Sequence, residues 1–454
     1  MSWAADELEG AELGDKRRNR RLIKVVEDLA MQPNESVPQA SRDAAAMQGI
    51  YEFWANPRIK AAEILSAHTS STVERIKGHS IVLAIQDTTE LDFSDHRSKR
   101  GMGAISKSTA KGLKVHTNLA ASVEGVPLGI LGQKTWARDK SKAQGDRRRA
   151  IESKESQRWL ESLKITQDLM PAGTRVITVA DREADIYELF ALAAKEKSEF
   201  LIRAAQNRNT SSARVSAEVK PLFEAIRQTA EIGQLKLELQ RTPRRMARSA
   251  TLSVRVTKLW LQPPVAKQSQ LDEAVEVYVI LAEEMQPPAG EKAICWLLLT
   301  TLVVNDFEQA SKYLKWYSYR WLIERYHYCL KSGCQIEELQ LEEAERIERA
   351  LATYAIVAWR LLWLTYEARS NPEQPVEGIL ERHEWQSLYC MVQKTNQLPN
   401  EVPTLEQCIR WIASLGGFLG RKGDGDPGVK TLWRGLQRLH DIAATWQLLK
   451  QLNC

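Results

Sequence analysis

The chain has 454 residues, which is too long for one ordinary hydrophobic core and predicts two or three domains. Hydrophobic residues make up 43% of it and charged residues 27%, a balance typical of a soluble globular protein. Its 63 basic and 58 acidic residues give a net charge of only +5, which excludes a uniformly basic protein. Any contact with a polyanion is therefore expected at local basic patches.

Cysteine usage and the apolar stretches bear on the compartment. The six cysteines include no CxxC pair, which argues against a zinc site. The first ten residues, MSWAADELEG, are acidic and lack the apolar segment of a signal peptide. The longest apolar stretches are ICWLLLTTLVV, which is too short to span a bilayer, and Ala350–Leu364, which Arg360 interrupts. These features predict a reducing, cytoplasmic location with free thiols and no membrane contact.

The first 75 residues predict helices and a basic surface. Gly14 and Asp15 are typical of a turn and a helix cap, and five Lys or Arg follow within residues 16–21. A basic cluster at the start of a helix is placed to contact phosphates or enter a DNA groove. A second helix is predicted to stop at Asn56-Pro57, so residues 1–75 are interpreted as a helical DNA-binding domain.

The pattern changes to strands after residue 80. SIVLAIQDTTELDFS predicts an apolar strand that ends in acids, with Asp87 the first of them. LKVHTNLAASV and PLGILGQKTWA predict two more strands joined by a turn at Glu124-Gly125. A charged amphipathic helix is predicted over 147–170, and RVITVADREADIYELF then predicts a strand ending in Asp181 and a helix directly after it. Strands that first run antiparallel and then alternate with helices indicate a mixed α/β sheet.

Residues 206–290 contain alternating segments broken by Arg-rich or Pro-rich turns, which predicts a β-rich insertion. The sheet is predicted to resume at ICWLLLTTLVV, after which Asp306 caps a helix. From about residue 340 the chain is predicted to be helical. The predicted domains are therefore 1–75, then 76–370 with the insertion at about 206–290, then a helical domain at 371–454.

The last predicted helix carries Leu432, Leu436, Leu439 and Ile442 at helical spacing. Such a face fits the core of the chain or, because the helix is terminal, a dimer contact, and the sequence leaves both open. Basic patches at 95–114, with six Lys or Arg against one Asp, and at 241–248, with four Arg, indicate local contact with a polyanion. A solvated surface explains either patch equally well.

Three acids have the placement expected of a metal site. Asp87 and Asp181 each lead the acids at the end of an apolar strand, and Glu324 lies on a later helix. Neighbouring strands lie about 4.8 Å apart, so two such carboxylates can share a metal ion. Hard oxygen ligands favour Mg²⁺ or Mn²⁺. A strand-end Asp is also often only a helix cap or turn, and the competing acids are Glu90, Asp92, Glu183 and Asp185.

The segment YSYRWLIERYHYCLK, residues 317–331, places four functional side chains at i, i+3, i+7 and i+14. On one continuous helix, Tyr317, Arg320, Glu324 and Lys331 would share a face about 21 Å long. A carboxylate can hold a cation there while Arg and Lys hold phosphate oxygens. An exposed face stabilised by an Arg–Glu pair is the plainer interpretation of this segment alone.

Together these motifs resemble those of the bacterial cut-and-paste DDE transposases, in particular the IS-four family to which the transposase of transposon Tn-five belongs. The resemblance rests on DTT at 87–89, DREAD at 181–185 and Y-x2-R-x3-E-x6-K at 317–331. GDKRRNRRL near the start, WLLLT at 296–300 and LGGF at 415–418 extend it over nearly the whole chain. Tyr328 and the basic segment around 138–149 depart from the family pattern.

The resemblance implies a fold and a set of roles. It implies a ribonuclease H-like catalytic core with the β-rich insertion, flanked by a helical DNA-binding domain and a helical C-terminal dimerisation domain. It implies that Asp87, Asp181 and Glu324 are catalytic and bind two Mg²⁺ ions, with Mn²⁺ able to substitute. The DNA contacts that it implies are Arg18, Arg21, Arg203, Trp296, Tyr317, Arg320 and Lys331.

Within that set, Tyr317, Arg320 and Lys331 would hold the phosphate of a flipped nucleotide, and Trp296 would stack on its base. Without the resemblance, Trp296 would be interpreted as an ordinary core residue. His116 matches a family position but receives no role, and His327 and Tyr328 fit packing or phosphate contact equally well.

The resemblance also implies an activity, namely magnesium-dependent DNA endonuclease and transposition chemistry. A homodimer would bind two terminal inverted repeats, nick each end, form and reopen a hairpin, and join the 3′-OH ends to target DNA. It would be cytoplasmic in a bacterium and associated with the nucleoid when bound to DNA. A catalytically silent or regulatory relative that occupies transposon ends remains the alternative, and a structure-selective nuclease is a third reading.

Overall fold

The structure is a computed structural model that describes residues 2–96, 98–105, 110–138, 155–216, 218–239, 246–264 and 273–452. The basic stretch at 139–149, residues 241–245 of the second basic patch and the first part of the helix expected at 147–170 lie outside the described residues. None of the described helices is long and apolar enough to cross a membrane.

The described helices occur at both ends of the chain and between the strands. They are α1 Trp3–Glu7, α2 Lys16–Met31, α3 Val37–Ala40, α4 Ala44–Ala55, α5 Ala61–Ile76, α6 Gln157–Leu169, α7 Tyr187–Glu196, α8 Leu222–Arg227, α9 Phe307–Ser318, α10 Trp321–Tyr328, α11 Ala344–Ser370, α12 Arg382–Gln393, α13 Leu405–Leu415 and α14 Val429–Leu452.

The described strands lie between α5 and α9. They are β1 Ile81–Asp92, β2 Gly103–Ala104, β3 Lys111–Ser122, β4 Pro127–Trp136, β5 Arg175–Ala180, β6 Glu199–Arg203, β7 Asn209–Ser211, β8 Lys220–Pro221, β9 Glu231–Leu239, β10 Arg248–Leu261, β11 Val275–Glu284 and β12 Cys295–Thr300. This mixture of helices and strands confirms the predicted α/β class.

The chain packs as two compact units. The helix-rich unit comprises residues 1–79, 88–144 and 322–454, and the sheet unit comprises residues 80–87 and 145–321. Strand β1 is divided between them after Asp87, and α10 is divided between Trp321 and Leu322. The two units are described separately below.

In the sheet unit, parallel and antiparallel strands form one continuous series. β1 pairs in parallel with β5, and β5 pairs in parallel with β6. The series continues antiparallel through β12, β11 and β10, and β10 also pairs with β9 and β7. Strands β7 to β11 lie within residues 206–290, where the β-rich insertion was predicted, and β11 extends the same sheet by pairing with β12. Large side chains of α6, α7 and the strands, including Trp159, Phe190 and Phe200, form its core.

In the helix-rich unit, the predicted turn and cap at the start of α2 are confirmed. Gly14 has φ 72°, and the Asp15 carboxylate accepts a hydrogen bond from the Arg17 amide at 2.8 Å. Two strands, β3 and β4, form an antiparallel hairpin, with Gly125 at φ 93° in the turn. Helix α11 is buried over most of its length. Its Thr353 hydroxyl accepts a hydrogen bond from Trp54 of α4, and its Trp359 indole donates one to the Pro127 carbonyl of the hairpin.

The leucine face of α14 proves to be mainly core. Leu432 and Leu439 are buried in a cluster with residues of α11, α12 and α13, and Leu436 packs against that cluster. The exposed leucines of α14 lie in its last turns, where Leu448, Leu449 and Leu452 are 61%, 52% and 80% exposed. The face at helical spacing therefore belongs to the chain's own core, and a different set of leucines is available at the end of the helix.

The single helix predicted over 317–331 is wrong. Helix α9 ends at Ser318, because the amides of Tyr319 and Arg320 bond to carbonyls three residues back instead of four. After α10, residues 329–333 form a π turn, closed by the Cys334 amide on the Cys329 carbonyl at 2.8 Å. Since both interruptions change the rotation per residue, Tyr317 and Lys331 do not share one ideal helical face.

The end of β1 also differs from the prediction. The strand runs on to Asp92, so Asp87 lies within it and not at its end. Pairing with β5 nevertheless stops at Gln86, one residue before Asp87. The β-branched Thr88 and Thr89 are good strand formers, which explains why the backbone stays extended past the first acid.

A buried ionic network joins α1, α5 and β4. The Glu7 carboxylate contacts His68 Nδ1 at 2.6 Å and receives two hydrogen bonds from the Arg75 guanidinium at 2.7 and 3.0 Å. The Ile130 amide donates to His68 Nε2 at 2.9 Å, so Nδ1 carries the proton and donates to Glu7. Burial acts to raise the pKa of Glu7, but His68 and Arg75 outweigh it and the pKa is lowered.

Removing Glu7 should strongly destabilise this network. Glu7→Ala leaves His68 and Arg75 without their common acceptor, and we expect a loss of about 3–5 kcal/mol in the free energy of unfolding. Urea unfolding would measure it, with the exposed Glu9→Ala as the matched control, which should stay within about 0.5 kcal/mol of the parent. Equal midpoints for the two variants would contradict the buried network.

The same network predicts acid sensitivity. Burial lowers the pKa of His68 below its ordinary 6.5, so the unfolded chain takes up this proton before the folded chain does. Stability from this group is complete above pH 6.5 and declines as the pH falls below it. We expect the urea midpoint to fall between pH 7.5 and 5.5, and to fall less steeply in His68→Gln; a slope that the substitution leaves unchanged would refute this origin.

Candidate active site

Two carboxylates stand at adjacent positions in the sheet unit. In the parallel pair of β1 and β5, Gln86 faces Ala180, and the next residues are Asp87 and Asp181. Parallel neighbours lie about 4.8 Å apart, and both aspartates are partly exposed. Asp181 also accepts a hydrogen bond from the Glu183 amide at 2.8 Å, which caps the short 3₁₀ turn Arg182–Ala184. The Asp181 side chain therefore caps this turn, and it remains partly exposed at a strand position adjacent to that of Asp87.

The competing acids of the sheet unit are occupied elsewhere. Asp185 is only 3% exposed and accepts hydrogen bonds from the Arg208 guanidinium at 2.8 Å and from the Ala205 and Gln206 amides at 2.7 Å. Glu183 pairs with Arg158 at 3.1 Å. Because Asp185 is enclosed by donors, it forms a structural ion pair with Arg208, and Asp87 and Asp181 are left as the better candidates for metal ligands in this unit.

The donor chemistry of this pair fits a hard divalent cation. Two carboxylates at adjacent strand positions offer oxygen ligands, which Mg²⁺ and Mn²⁺ prefer. Within the described ranges, no group of three or more His, Cys, Asp or Glu side chains is gathered closely enough to hold a metal ion. The sheet unit therefore provides a carboxylate pair and not a complete ligand set.

Basic and aromatic side chains lie around Tyr317, whose pKa also responds to Asp181. The ring of Tyr317 is buried and meets Trp296 edge to face, with centroids 5.8 Å apart. Arg203, which faces Leu298 across β6 and β12, donates to the Cys295 carbonyl at 2.8 Å. Burial raises the pKa of Tyr317, Arg320 and Arg203 act to lower it, and Asp181 acts to raise it.

These relations place a phenol, two guanidinium groups and a carboxylate in one neighbourhood. Such a set can hold a phosphate beside a metal-binding carboxylate. The structure thus brings together five of the residues predicted from the sequence, namely Asp181, Arg203, Trp296, Tyr317 and Arg320. Trp296 is partly exposed, which suits a stacking surface better than a core position.

Trp321 is a residue of this neighbourhood that the sequence reasoning missed. It is 56% exposed, and the Arg320 guanidinium lies 4.9 Å from its ring centroid. A large aromatic ring at the surface is available for stacking on a base. Its position directly after Arg320 in the motif was the available signal, but an aromatic residue within a helix is usually assigned to the core.

Glu324 and Lys331 belong to the helix-rich unit. Glu324 lies on α10 and is partly exposed. His327 on the same helix is buried, and this burial together with the charge of Lys331 lowers the pKa of His327 to about 3. Lys331 lies in the π turn and donates to the Glu90 carbonyl at 2.7 Å. The ring of Tyr328 packs 5.5 Å from that of Trp433, so packing is the reading that the structure favours for Tyr328.

His116 is buried in the same unit, and its Nδ1 lies 3.0 Å from the Thr88 hydroxyl. The other acids considered from the sequence, Glu90 and Asp92, also belong here. Glu90 pairs with Lys114 at 3.1 Å, and Asp92 accepts a hydrogen bond from the Ser94 amide at 3.0 Å. These partners indicate structural roles for both acids.

The basic cluster of α2 presents Arg18 and Arg21 at the start of the helix. Arg18 donates to the Leu13 carbonyl at 2.9 Å, which orients its side chain along the preceding turn. Arg21 is exposed and crosses α4 at Gly49, where a side chain would meet its guanidinium. A helix N-terminus lined with arginines is suited to phosphate binding.

Comparison with known protein families assigns three regions of the chain. Residues 1–59 match the family described as Transposase DNA-binding, residues 150–360 match Transposase DDE domain, and residues 356–446 match Transposase Tn5 dimerisation domain. The DDE match contains Asp181 and Glu324, and the DNA-binding match contains Arg18 and Arg21. The family resemblance drawn from the motifs is confirmed by these matches.

The two aspartates of DREAD should differ in how much their substitution lowers stability. Asp185→Ala leaves Arg208 and two amides without their acceptor, and we expect it to lower the free energy of unfolding by about 3–5 kcal/mol. Asp181→Asn keeps an oxygen for the Glu183 amide and should change stability by no more than about 0.5 kcal/mol. Urea unfolding distinguishes them, and a larger loss for Asp181→Asn would show that Asp181 is the structural acid.

Proposed function

Because the chain belongs to the DDE transposases, we propose that it performs cut-and-paste transposition at an active site containing Asp87, Asp181 and Glu324. As a transposase with DNA-binding and dimerisation domains, it is a metal-dependent DNA-cleaving enzyme that binds DNA and forms homodimers. The observation that carries the proposed site is the register of β1 and β5, which sets Asp87 beside Asp181.

The proposed metal ligands are the three carboxylates, and Mg²⁺ is the proposed ion, with Mn²⁺ as a substitute. Asp87 and Asp181 are supported by their adjacent strand positions and by the occupied state of Asp185 and Glu183. Glu324 is supported by its place in the Y-x2-R-x3-E-x6-K motif. When bound, two divalent ions activate the attacking oxygen and stabilise the leaving oxygen of an in-line phosphoryl displacement.

The remaining residues of the motif are proposed to hold the DNA end. Tyr317, Arg320 and Lys331 bind the phosphate of a nucleotide flipped from the duplex, and Arg203 contacts the same region. Trp296 stacks on the flipped base, which offsets the cost of unstacking it. The support is the cluster around Tyr317, where an aromatic surface adjoins two guanidinium groups.

Each chemical step is proposed to use this one site. The first displacement nicks the DNA at the end of the terminal inverted repeat and releases a 3′-OH. That hydroxyl attacks the opposite strand to form a hairpin, the hairpin is reopened, and the 3′-OH is joined to target DNA. One site suffices because each step is an in-line displacement at phosphorus with a different nucleophile.

The two ends of the chain supply recognition and assembly. Arg18 and Arg21, at the start of α2, are proposed to contact the terminal inverted repeat. The exposed leucines at the end of α14 are proposed to contribute to the homodimer in the DNA complex. The proposed domain division is 1–75, 76–370 and 371–454, and the proposed location is the bacterial cytoplasm, with nucleoid association through DNA.

End cleavage by the purified protein tests the proposal. A labelled duplex carrying the terminal repeat, incubated with Mg²⁺, should show a nick at the repeat boundary and then a hairpin on a denaturing gel. Glu324→Gln should reduce both products by at least about 100-fold, because it removes a proposed metal ligand. Glu308→Gln, which alters an exposed acid of α9, is the matched control and should cleave normally.

The other outcomes identify the alternatives. Binding without cleavage in either Mg²⁺ or Mn²⁺ would assign the chain to the catalytically silent relatives that occupy transposon ends. Cleavage that ignores the end sequence would indicate a structure-selective nuclease.

A further inference from the structure

The motif lysine is held in place by its own chain. Lys331 lies in the π turn Cys329–Gly333, a distortion that occurs frequently at functional sites. Its ammonium donates to the Glu90 carbonyl at 2.7 Å and pairs with Glu337 Oε1 at 3.1 Å. The side chain is 31% exposed, so the ammonium lies at the surface and not in the core.

Glu337 is itself fixed by β1. The same oxygen, Oε1, accepts a hydrogen bond from the Asp92 amide at 2.7 Å. Glu337 lies in the 3₁₀ turn Ile336–Glu338, which follows Gln335 in the left-handed conformation at φ 45°. One carboxylate oxygen of Glu337 therefore bridges the Lys331 ammonium and the backbone of β1. The same strand carries Asp87, which precedes Glu90 by three residues.

The segment around Glu337 is anchored along its length. The Lys99 ammonium donates to the carbonyls of Leu339 and Leu341. The Arg100 backbone donates to the Glu342 carbonyl at 2.6 Å and accepts from the Ala344 amide at 3.1 Å. These contacts fix the backbone segment that follows Glu337. A fixed backbone is required of a residue that orients the side chain of another.

We propose that Glu337 is a positioning residue that holds the Lys331 ammonium ready for a phosphate oxygen of the DNA end. An ammonium has three N–H donors, and within the described part of the chain the Glu90 carbonyl and Glu337 take two of them. The third is left for the phosphate. A lysine side chain that is already fixed loses less conformational freedom when the phosphate arrives. This inference rests on the role proposed above for Lys331.

A double-mutant cycle tests the proposal on the full-length protein. The variants are Glu337→Gln, Lys331→Met and their combination, because Gln keeps an oxygen for the Asp92 amide but removes the charge that holds Lys331. The neighbouring exposed acid Glu338→Gln is the control, since it makes the same change in net charge. Single-turnover cleavage at saturating protein and the affinity for the labelled end are measured separately.

We expect Glu337→Gln to slow cleavage about 10-fold while the affinity for the end changes less than about twofold, because the lysine is displaced and not lost. In the Lys331→Met background the same substitution should not slow cleavage any further, and the Glu338→Gln protein should cleave at the normal rate. Non-additivity of this kind is the signature of a residue that acts through another.

Three results would overturn the proposal. An equal loss from Glu337→Gln with and without Lys331 would make Glu337 only structural. Faster cleavage by Glu337→Gln would make it a competitor of the phosphate. Normal cleavage by Lys331→Met would remove the role of Lys331 while leaving the transposase activity intact, whereas a wild-type protein that fails to cleave would overturn the proposed function as well.

Discussion

The parallel pairing of β1 with β5 is the constraint on which the proposed chemistry depends. Carboxylates repel one another, so two of them at adjacent strand positions gain nothing in stability without a cation. Six consecutive residues of β1 pair with six of β5, from Ile81 with Arg175 to Gln86 with Ala180, and this register sets Asp87 and Asp181 at adjacent positions directly after the paired segment. A slip of one residue would turn one of them to the other face of the sheet.

The other charged side chains described above divide into those that stabilise the fold and those that stay available. Asp185 and Glu7 are enclosed by arginine and by amide or imidazole donors, so their charges are matched inside the protein. Asp181 caps a turn and is partly exposed, and the partly exposed Lys331 is supported by Glu337. The same residue types thus stabilise the structure where they are buried, and they are the proposed ligand-binding groups where they are partly exposed.

Much of the fold could be predicted from local patterns. Apolar runs identified β1, β5 and β12, and cap residues identified the starts of α2 and α9 at Asp15 and Asp306. Local patterns failed within the signature segment and at the end of β1. The break after Ser318 and the π turn before Cys334 are departures from ideal geometry that helical periodicity does not encode. The extension of β1 past Asp87 was not predicted because acidic residues usually indicate that a strand has ended.

By itself the sequence determined the chemical inventory and its order along the chain: three candidate acids, a basic helix start, the spaced Tyr, Arg, Glu and Lys of the signature segment, and the family to which these belong. The tertiary structure alone decided which acids are neutralised and which stay open, as with Asp185 and Asp181. It also decided the partner of Lys331, because the Glu90 carbonyl is 241 residues away along the chain. Contacts between such distant residues depend on strand register and helix packing, which no local pattern of residues specifies.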